Sequence, residues 1–472
     1  MSPAKKKWLT FLIVAAGVFM STLDSSMVNI ALPLIMKDFN SSLRSTEWVV
    51  LVYLLTITAS LLFWGHLSDR LGRRKIYTSG LLIFGAGSLA CAWSPSLALL
   101  VCFRFIQALG AAMIMATGPA IIKETFPPEQ LGRGLGLIGT AVALGLMSGP
   151  GLGGLLLEFF NWRALFFLTV PLGLIFAMLA ARILPGPQQH SSAPLDWPGG
   201  LSWAAALTLF SLALTHAMAT DWSGTRILLL GLAACFCLAC FLKIEKTVPH
   251  PLLAPGIFQD RTFCMAIVSA VLSFVVLFSV ILLMPFHLHR ILGLPPSKIG
   301  LVMLAVPSSI LVVSPVAGWL AERISARILS TTGLLVSTLG VVSLSAVQAG
   351  TGPGAIAGGL MLLGFGQAMF LSPNSASVLA HADRKRTGSA AALLATARNL
   401  GMLMGIAQAG LIFSLCFREI TGGLDLRDFT PEHTAPFLTS LHRALQGAAL
   451  AGLAGAAFSW LREKPRLRPS GR

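Results

Sequence analysis

The sequence predicts an all-α polytopic membrane protein with fourteen transmembrane helices, and three observations carry that prediction. Of 472 residues, 55% are hydrophobic and 11% charged, whereas a soluble domain carries about 25% charged residues. Mean hydropathy is +0.80, and the apolar residues recur from end to end instead of gathering into separate cores. They form fourteen segments, each near the ~20 residues that a helix needs to cross ~30 Å of hydrocarbon. A soluble chain of this length would divide into about three domains; here lipid is the solvent for most of the chain.

In chain order the segments are 8–33, 48–66, 76–94, 97–122, 133–157, 162–184, 199–219, 225–243, 263–286, 298–321, 328–348, 354–380, 387–416 and 437–460. Turn-forming residues punctuate them: Pro127-Pro128, Pro185-Gly186-Pro187, Pro249 with Pro251 and Pro255, Pro295-Pro296, and Gly422-Gly423. Trp8, Trp48, Trp93, Trp162, Trp222 and Trp460 fall near predicted ends, where indole rings favour the lipid–water interface. Lys5-Lys6-Lys7 before the first segment imitates a signal peptide. That segment is too long for a signal h-region, lacks an A-x-A-like site and contains Asp24, so it reads as a retained span. The seven cysteines lie in or beside apolar stretches, and Cys237-x-x-Cys240 sits in a fully apolar run, which favours small lipid-buried side chains over a disulfide, zinc or redox role.

The formal net charge of +16 would suggest a nucleic-acid partner in a soluble protein. Its placement argues otherwise. Fourteen crossings put both termini on one side, and the loops and tails of that side hold 23 Lys and Arg against nine opposite. Acidic residues divide nine to eight, leaving Asp24, Arg104 and Arg398 within spans. The bias follows the positive-inside rule, which predicts a multi-pass protein of the cytoplasmic (inner) membrane with both termini cytoplasmic. The lipid bilayer is then the environment, and a nucleic-acid partner has no support.

Gly65-His-Leu-Ser-Asp69-Arg70-Leu-Gly-Arg73-Arg74 follows the second segment, and a weaker copy, Gly318-Trp-Leu-Ala-Glu322-Arg323-Ile-Ser-Ala-Arg327, follows the tenth. If segments one to six correspond to nine to fourteen, both copies follow the second span of a six-span half, and seven and eight are an insertion. Parallel six-span repeats with a site near the midplane are a transporter architecture. The chain resembles the major facilitator superfamily, and within it the fourteen-helix EmrB/QacA-type branch of drug:proton antiporters. The resemblance covers almost the whole chain. It rests on Leu23-Asp24-Ser-Ser-Met-Val-Asn29-Ile-Ala-Leu-Pro33, the Asp69–Lys75 turn, Arg104-Phe-Ile-Gln107-Ala-Leu-Gly110, Gly145-x-x-x-Gly149-Pro150-x-x-Gly153-Gly154, Asn161-Trp-Arg-Ala-Leu-Phe-Phe and Arg398-Asn-Leu-Gly401. It implies a major facilitator fold: a six-helix bundle over 1–185, a two-helix insertion with its linkers over 186–262, and a second six-helix bundle with a basic tail over 263–472.

Asp24 lies ~13 Å along the helix from Pro33, and Arg104 ~10 Å from Leu97. An ionisable residue at such depth costs about 2.5–3.5 kcal/mol, so it is usually paired or functional. The resemblance places spans one and four on a central cavity, which lets the two side chains meet either as a proton-coupling pair or as a static structural one. Asn29, Tyr53, Gln107, Gln367 and Arg398 are counted with them as cavity residues. Gln107 and Gln367 serve equally well as interhelical hydrogen-bond formers, and Arg398, ~17 Å inside span thirteen, reads slightly better as a brace than as a substrate contact.

Gly145, Gly149 and Gly153 share one helix face beside Pro150, which suits close backbone approach and a bend. In antiporters of the superfamily this motif seals or flexes the junction between halves, so these four form a candidate hinge, with plain tight packing as the alternative. Gly65, Asp69, Arg70, Arg73 and Arg74, with Glu322 and Arg323, form a candidate conformational latch of charge-assisted bonds. His287 and His289 read as interfacial or solvated, and the loop 418–436 as either a cap on the outer mouth or a surface loop.

No GxxxxGK[ST] phosphate loop is present, Gly151-x-Gly153 follows no strand, and no Ser-His-Asp or metalloprotease spacing appears, so an enzyme is not expected. Neither a cofactor nor a metal is expected, the proton gradient being the energy source. The function this suggests is proton-coupled export of hydrophobic or amphipathic small molecules by alternating access. The alternative is transport of an endogenous lipid-like or anionic metabolite, since Arg104 and Arg398 leave the cavity formally basic. A monomer is expected, and a periplasmic adaptor is compatible with the reading but not required by it.

Overall fold

The structure, a computed structural model, describes residues 3–127, 131–186, 196–216, 224–248, 259–321, 323–380 and 387–462. These residues form fifteen α-helices: α1 Pro3–Asp38, α2 Leu43–Leu71, α3 Arg73–Ala92, α4 Leu97–Thr125, α5 Leu131–Phe159, α6 Arg163–Ile183, α7 Trp197–His216, α8 Gly224–Thr247, α9 Arg261–Arg290, α10 Pro296–Met303, α11 Ala305–Ala321, α12 Ala326–Leu344, α13 Pro353–Ala380, α14 Thr387–Thr421 and α15 Thr434–Trp460. α10 and α11 are one rod broken at Leu304. Pro307 has no N–H to give the carbonyl of Met303, and the helix yields there. With that rod taken as one, eleven of the fourteen described rods are long and apolar enough to cross a membrane. α5, α7 and α15 are the other three.

Local chemistry sets the boundaries. The side chains of Ser42, Ser96, Asp260 and Ser325 accept from the backbone N–H three residues on, capping α2, α4, α9 and α12. Gly72, at φ +95°, makes the sharp turn from α2 to α3. α1 runs five residues past Pro33 to Asp38, and α2 starts at Leu43, five residues before the expected span. That early start brings Glu47 into the packed interior with 0% exposure, so one acid expected in an outer loop is instead buried on a helix.

α1 packs on α5, α4 on α2 and α3, and α6 on α3; in the C-terminal part α9 packs on α14 and α15, α13 on α11 and α12, and α12 on α15. α7 and α8 pair with each other, and α7 alone of the two lies along α2 and α14. It is fixed to α2 by Trp203 Nε1, which donates to Thr58 O at 3.2 Å, and by Trp197 against Phe63 at 4.9 Å. α8 presents Leu228, Leu229, Leu232 and Phe236 outward, as a lipid-facing helix would.

Helix ends are tied at both poles. At the end where α1 starts, the near end, Lys7 lies over Phe126 at 5.3 Å and Arg73 Nη1 pairs with Glu124 Oε1 at 2.9 Å. At the far end, Asp38 Oδ2 accepts from Trp162 Nε1 at 2.9 Å and Arg163 Nη1 at 3.0 Å, while Arg163 Nη2 donates to Ser94 O at 3.3 Å. Trp162 is therefore buried among helix ends and does not float at an interface. The loop after α14 is a cap: Leu426 is buried, Phe429 packs on Phe437 at 5.8 Å, and Phe437 meets Phe413 at 5.1 Å. His287 is likewise buried, 6.3 Å from Phe437 with neither ring nitrogen hydrogen-bonded, whereas His289 is half-buried. The expected interfacial or solvated position does not hold for His287, because α9 carries it inward beneath that cap.

Candidate functional site

Asp24, Arg104 and Gln107 meet inside the N-terminal helices. Asp24 is 1% exposed and Arg104 0%. Arg104 Nη1 donates to Asp24 Oδ2 at 2.5 Å and to Gln107 Oε1 at 2.7 Å, and Arg104 Nε donates to Val49 O at 3.0 Å. Gln107 Nε2 donates to Asp24 Oδ1 at 2.9 Å and to Ser88 Oγ at 2.7 Å; Ser88 also accepts from Thr169 Oγ1 at 2.9 Å. The guanidinium lies 4.1 Å from the ring of Tyr53, whose hydroxyl donates to Ser21 O at 2.9 Å. α1, α2, α3, α4 and α6 each contribute a group. The i, i+3 spacing of Arg104 and Gln107 puts both on the same face of α4, and Gly87 on α3 lets α4 come close, since a Cβ there would stand 2.6 Å from Gln107 Cα.

The arrangement suits an ionised Asp24, because each carboxylate oxygen receives one donor and the nearest cation is Arg104. Such a pair tolerates a low-dielectric interior only while both partners are present. Losing one leaves an uncompensated buried charge at about 3–5 kcal/mol. Protonation of Asp24 has the same electrostatic effect as removing its charge.

The remaining cavity candidates are placed differently. Asn29 Nδ2 donates along its own helix to Ser25 O at 2.8 Å. Gln367 joins α13 to α9, accepting from Ser273 Oγ at 2.8 Å and donating to Ser273 O at 3.0 Å. Asp24, Asn29, Tyr53, Arg104, Gln107 and Gln367 are all buried, so in this conformation they lie within helix packing and not on an open wall. Arg398 is half-buried; its Nη2 donates to Ser375 Oγ on α13 at 2.7 Å and Nε has no partner.

The glycine motif of α5 divides its work by face. A Cβ on Gly145 would stand 2.7 Å from Phe19 O, one on Gly149 3.0 Å from Met27 N, and one on Gly153 3.3 Å from Met27 Cα. All three lie against α1, where Ser26 Oγ also donates to Leu146 O at 2.8 Å. The approach to the C-terminal helices is made by the next face round. A Cβ on Gly154 would stand 2.7 Å from Pro296 O, one on Gly151 3.1 Å from Leu304, and Gly300 packs against the carbonyl of Pro150. Of the expected hinge set only Pro150 belongs to that junction; Gly145, Gly149 and Gly153 bind α5 to its own bundle because their face of the helix is turned to α1.

Of the latch candidates, Arg73 reaches Glu124 and the carbonyl of Ala120, the latter at 2.8 Å. Arg70 is exposed and Arg74 half-buried, a Cβ on Gly65 meets nothing, and Arg323 lies 3.9 Å over the Trp319 ring. The side chain of Asp69 and the whole of Glu322 lie outside the described residues. Sequence reading did not anticipate Ser88, Thr169, Glu47 or Glu124. The first two are single hydroxyls in apolar runs and give no pattern, whereas Glu47 and Glu124 were assigned to loops that prove to be helix.

The structure is that of a polytopic α-helical membrane protein with a charged pair sealed inside its N-terminal helices. Comparison with known proteins resolves the family: the Major Facilitator Superfamily profile matches residues 14–406, and the chain belongs to that family. It is 34% identical to the riboflavin transporter RibZ of Clostridioides difficile over 87% of this chain and 89% of that protein. It is 29% identical to the multidrug resistance protein Stp of Mycobacterium tuberculosis (86% and 76%), and 28% identical to the methyl viologen resistance protein SmvA of Salmonella typhimurium (96% and 94%). Among solved structures, a bacterial homologue of the human lysosomal transporter Spinster, inward-facing and unoccupied, aligns with a TM-score of 0.67 at 15% identity over 98% of this chain and 99% of that one. The protein is a transporter, not an enzyme.

Proposed function

We propose that this transporter is a proton-coupled antiporter that exports hydrophobic or amphipathic small molecules across the cytoplasmic membrane. In this reading two six-helix halves, α1–α6 and α9–α15, with α7–α8 inserted, rock about a midplane site, the termini facing the cytoplasm. The observation that carries it is the sealed Asp24–Arg104–Gln107 network. An acid whose proton uptake would strand a buried arginine has the energetic leverage to couple protonation to a rearrangement of α1, α2 and α4. Resistance proteins among the relatives support an amphipathic cargo. The substrate wall includes Arg398, the cavity candidate that keeps some exposure. No cofactor enters this scheme; the proton gradient does the work.

The test is transport in proteoliposomes driven by an imposed proton gradient, with cationic, neutral and anionic fluorescent amphiphiles as cargo. Asp24→Asn keeps the shape and one of the two acceptor oxygens but cannot exchange a proton. Gradient-driven transport is expected to vanish in that variant. Equal rates in the variant and the parent would sink the reading.

A further inference from the structure

Glu47 is 0% exposed, and neither of its carboxyl oxygens has a hydrogen-bond partner. It projects from the first turns of α2 towards α14, where it meets Gly410; a Cβ built on that glycine would coincide with the Glu47 carboxyl. The acid thus fills the room left by a missing side chain, at the seam where an N-terminal helix meets a C-terminal one. Charged residues on the elements packed against α2 are Lys5, Lys6, Lys7, Asp24, Lys37 and Asp38 of α1, Arg73, Arg74 and Lys75 of α3, Arg104, Lys123 and Glu124 of α4, and Arg398, Arg418 and Glu419 of α14, while His216 ends α7. Arg44, one turn earlier on α2, and Asp425, in the loop after α14, act on Glu47 with opposite signs, but no donor reaches its oxygens.

An ionised carboxylate in that position would give up its hydration and receive no donor in return, a penalty of several kcal/mol per ion. A neutral carboxyl with an unmade hydrogen bond costs only about 1–3 kcal/mol. The packed seam therefore accommodates the acid form. Two residues along the same helix, about 3 Å away by helical rise, the carbonyl of Val49 is held by Arg104 Nε. α2 is consequently a rigid link between this carboxyl and the Asp24 network.

We propose that Glu47 is a second proton-binding site, distinct from Asp24, protonated while α2 and α14 are packed and releasing its proton to water at the far end when they separate. The O–H bond breaks heterolytically, the proton passes to solvent, and the carboxylate left behind is hydrated in the opened seam. This rests on the alternating-access reading above only in requiring that the seam open. Proton binding then favours far-end closure, and ionisation holds the seam apart.

Spin labels at Ser45 and Glu419, both exposed, in a cysteine-free full-length background in lipid nanodiscs, report the α2–α14 separation by pulsed EPR. Between about pH 5 and pH 8 the parent is expected to shift from a short to a longer distance as the site deprotonates. Glu47→Gln, which imitates the acid form, should hold the short distance throughout, while Asp24→Asn should keep the pH-dependent shift. If Glu47→Gln opens with pH as the parent does, or if Asp24→Asn alone abolishes the shift, the proposal is overturned although the antiport reading stands. If Asp24→Asn still transports and Glu47→Gln is locked shut, the antiport assignment to Asp24 fails and the Glu47 site stands. Gly410→Ala supplies a separate check: its methyl group displaces the carboxyl, so the long distance is expected at every pH, and a short distance at every pH overturns the packing argument.

Discussion

Gln107 uses its amide completely: Oε1 accepts from Arg104, and the two Nε2 hydrogens go to Asp24 and Ser88. That pattern fixes the amide orientation and, through it, the carboxylate. Gln107→Leu preserves bulk but removes one partner from each of Arg104, Asp24, Ser88 and Cys91, and thermal unfolding in detergent should show a loss of about 1–3 kcal/mol. Arg104→Lys keeps the charge yet replaces a planar fork with a point ammonium, so it cannot reach Val49 O, Asp24 and Gln107 together. Proteoliposomes bearing it are expected to lose most proton-driven transport while retaining detergent-stable protein, as judged by size-exclusion profile. At this scale the sequence was informative where charge was involved. Asp24 and Arg104 stand out because ionisable residues are costly in lipid, and their meeting was expected. Ser88, Thr169 and the carbonyl of Val49 were not legible, because hydroxyls are common in spans and every residue has a carbonyl. Glu47 was missed for another reason: a boundary placed five residues late turned a buried acid into a loop acid.

α5 shows what periodicity can and cannot say about an element. The four-residue glycine spacing identifies a face with no side chains, but it does not name the helix that fills the gap. The neighbour proves to be α1 for Gly145, Gly149 and Gly153, while Gly154 approaches α10 and Gly151 approaches Leu304 at its end. Substitutions on the two faces should therefore part company. Gly149→Val forces Ser26 and Met27 aside within one bundle, and overpacking of this kind costs about 1–3 kcal/mol, read as a lowered melting temperature. Gly154→Val collides with Pro296 and Gly300 across the junction. Its expected signature is a longer EPR distance between labels at Glu158 and Lys298, both exposed, with little change in melting. If Gly149→Val produced the distance change and Gly154→Val the melting change, the division of faces would be reversed. The break between α10 and α11 belongs to the same junction, since Pro307 releases the short segment that carries Gly300.

Across the whole molecule, the count of apolar segments anticipated the fourteen rods of the described residues, eleven of which are long and apolar enough to cross a membrane. Among the described residues the two parts differ here: α1 brings Asp24 to Gln107 of α4, whereas α9 brings the hydroxyl of Ser273 to Gln367 of α13, a contact without an ion pair. The charge distribution makes its own prediction at this scale. A cysteine at Asp428, in the far-end cap, should react with a membrane-impermeant maleimide in intact cells, and a cysteine at Lys75, at the near end, should react only after lysis. The reverse pattern would invert the orientation read from the loops.

α7, fastened to α2 by Trp203 and Trp197 and lying also along α14, sits over the line where those two helices meet. The opposite line, between α5 and α10, has no such covering helix among the described residues. The surrounding lipid therefore meets the two flanks unequally. On the export reading proposed above, a cargo dissolved in a leaflet would meet the paired α7 and α8 on one flank and the bare α5–α10 line on the other.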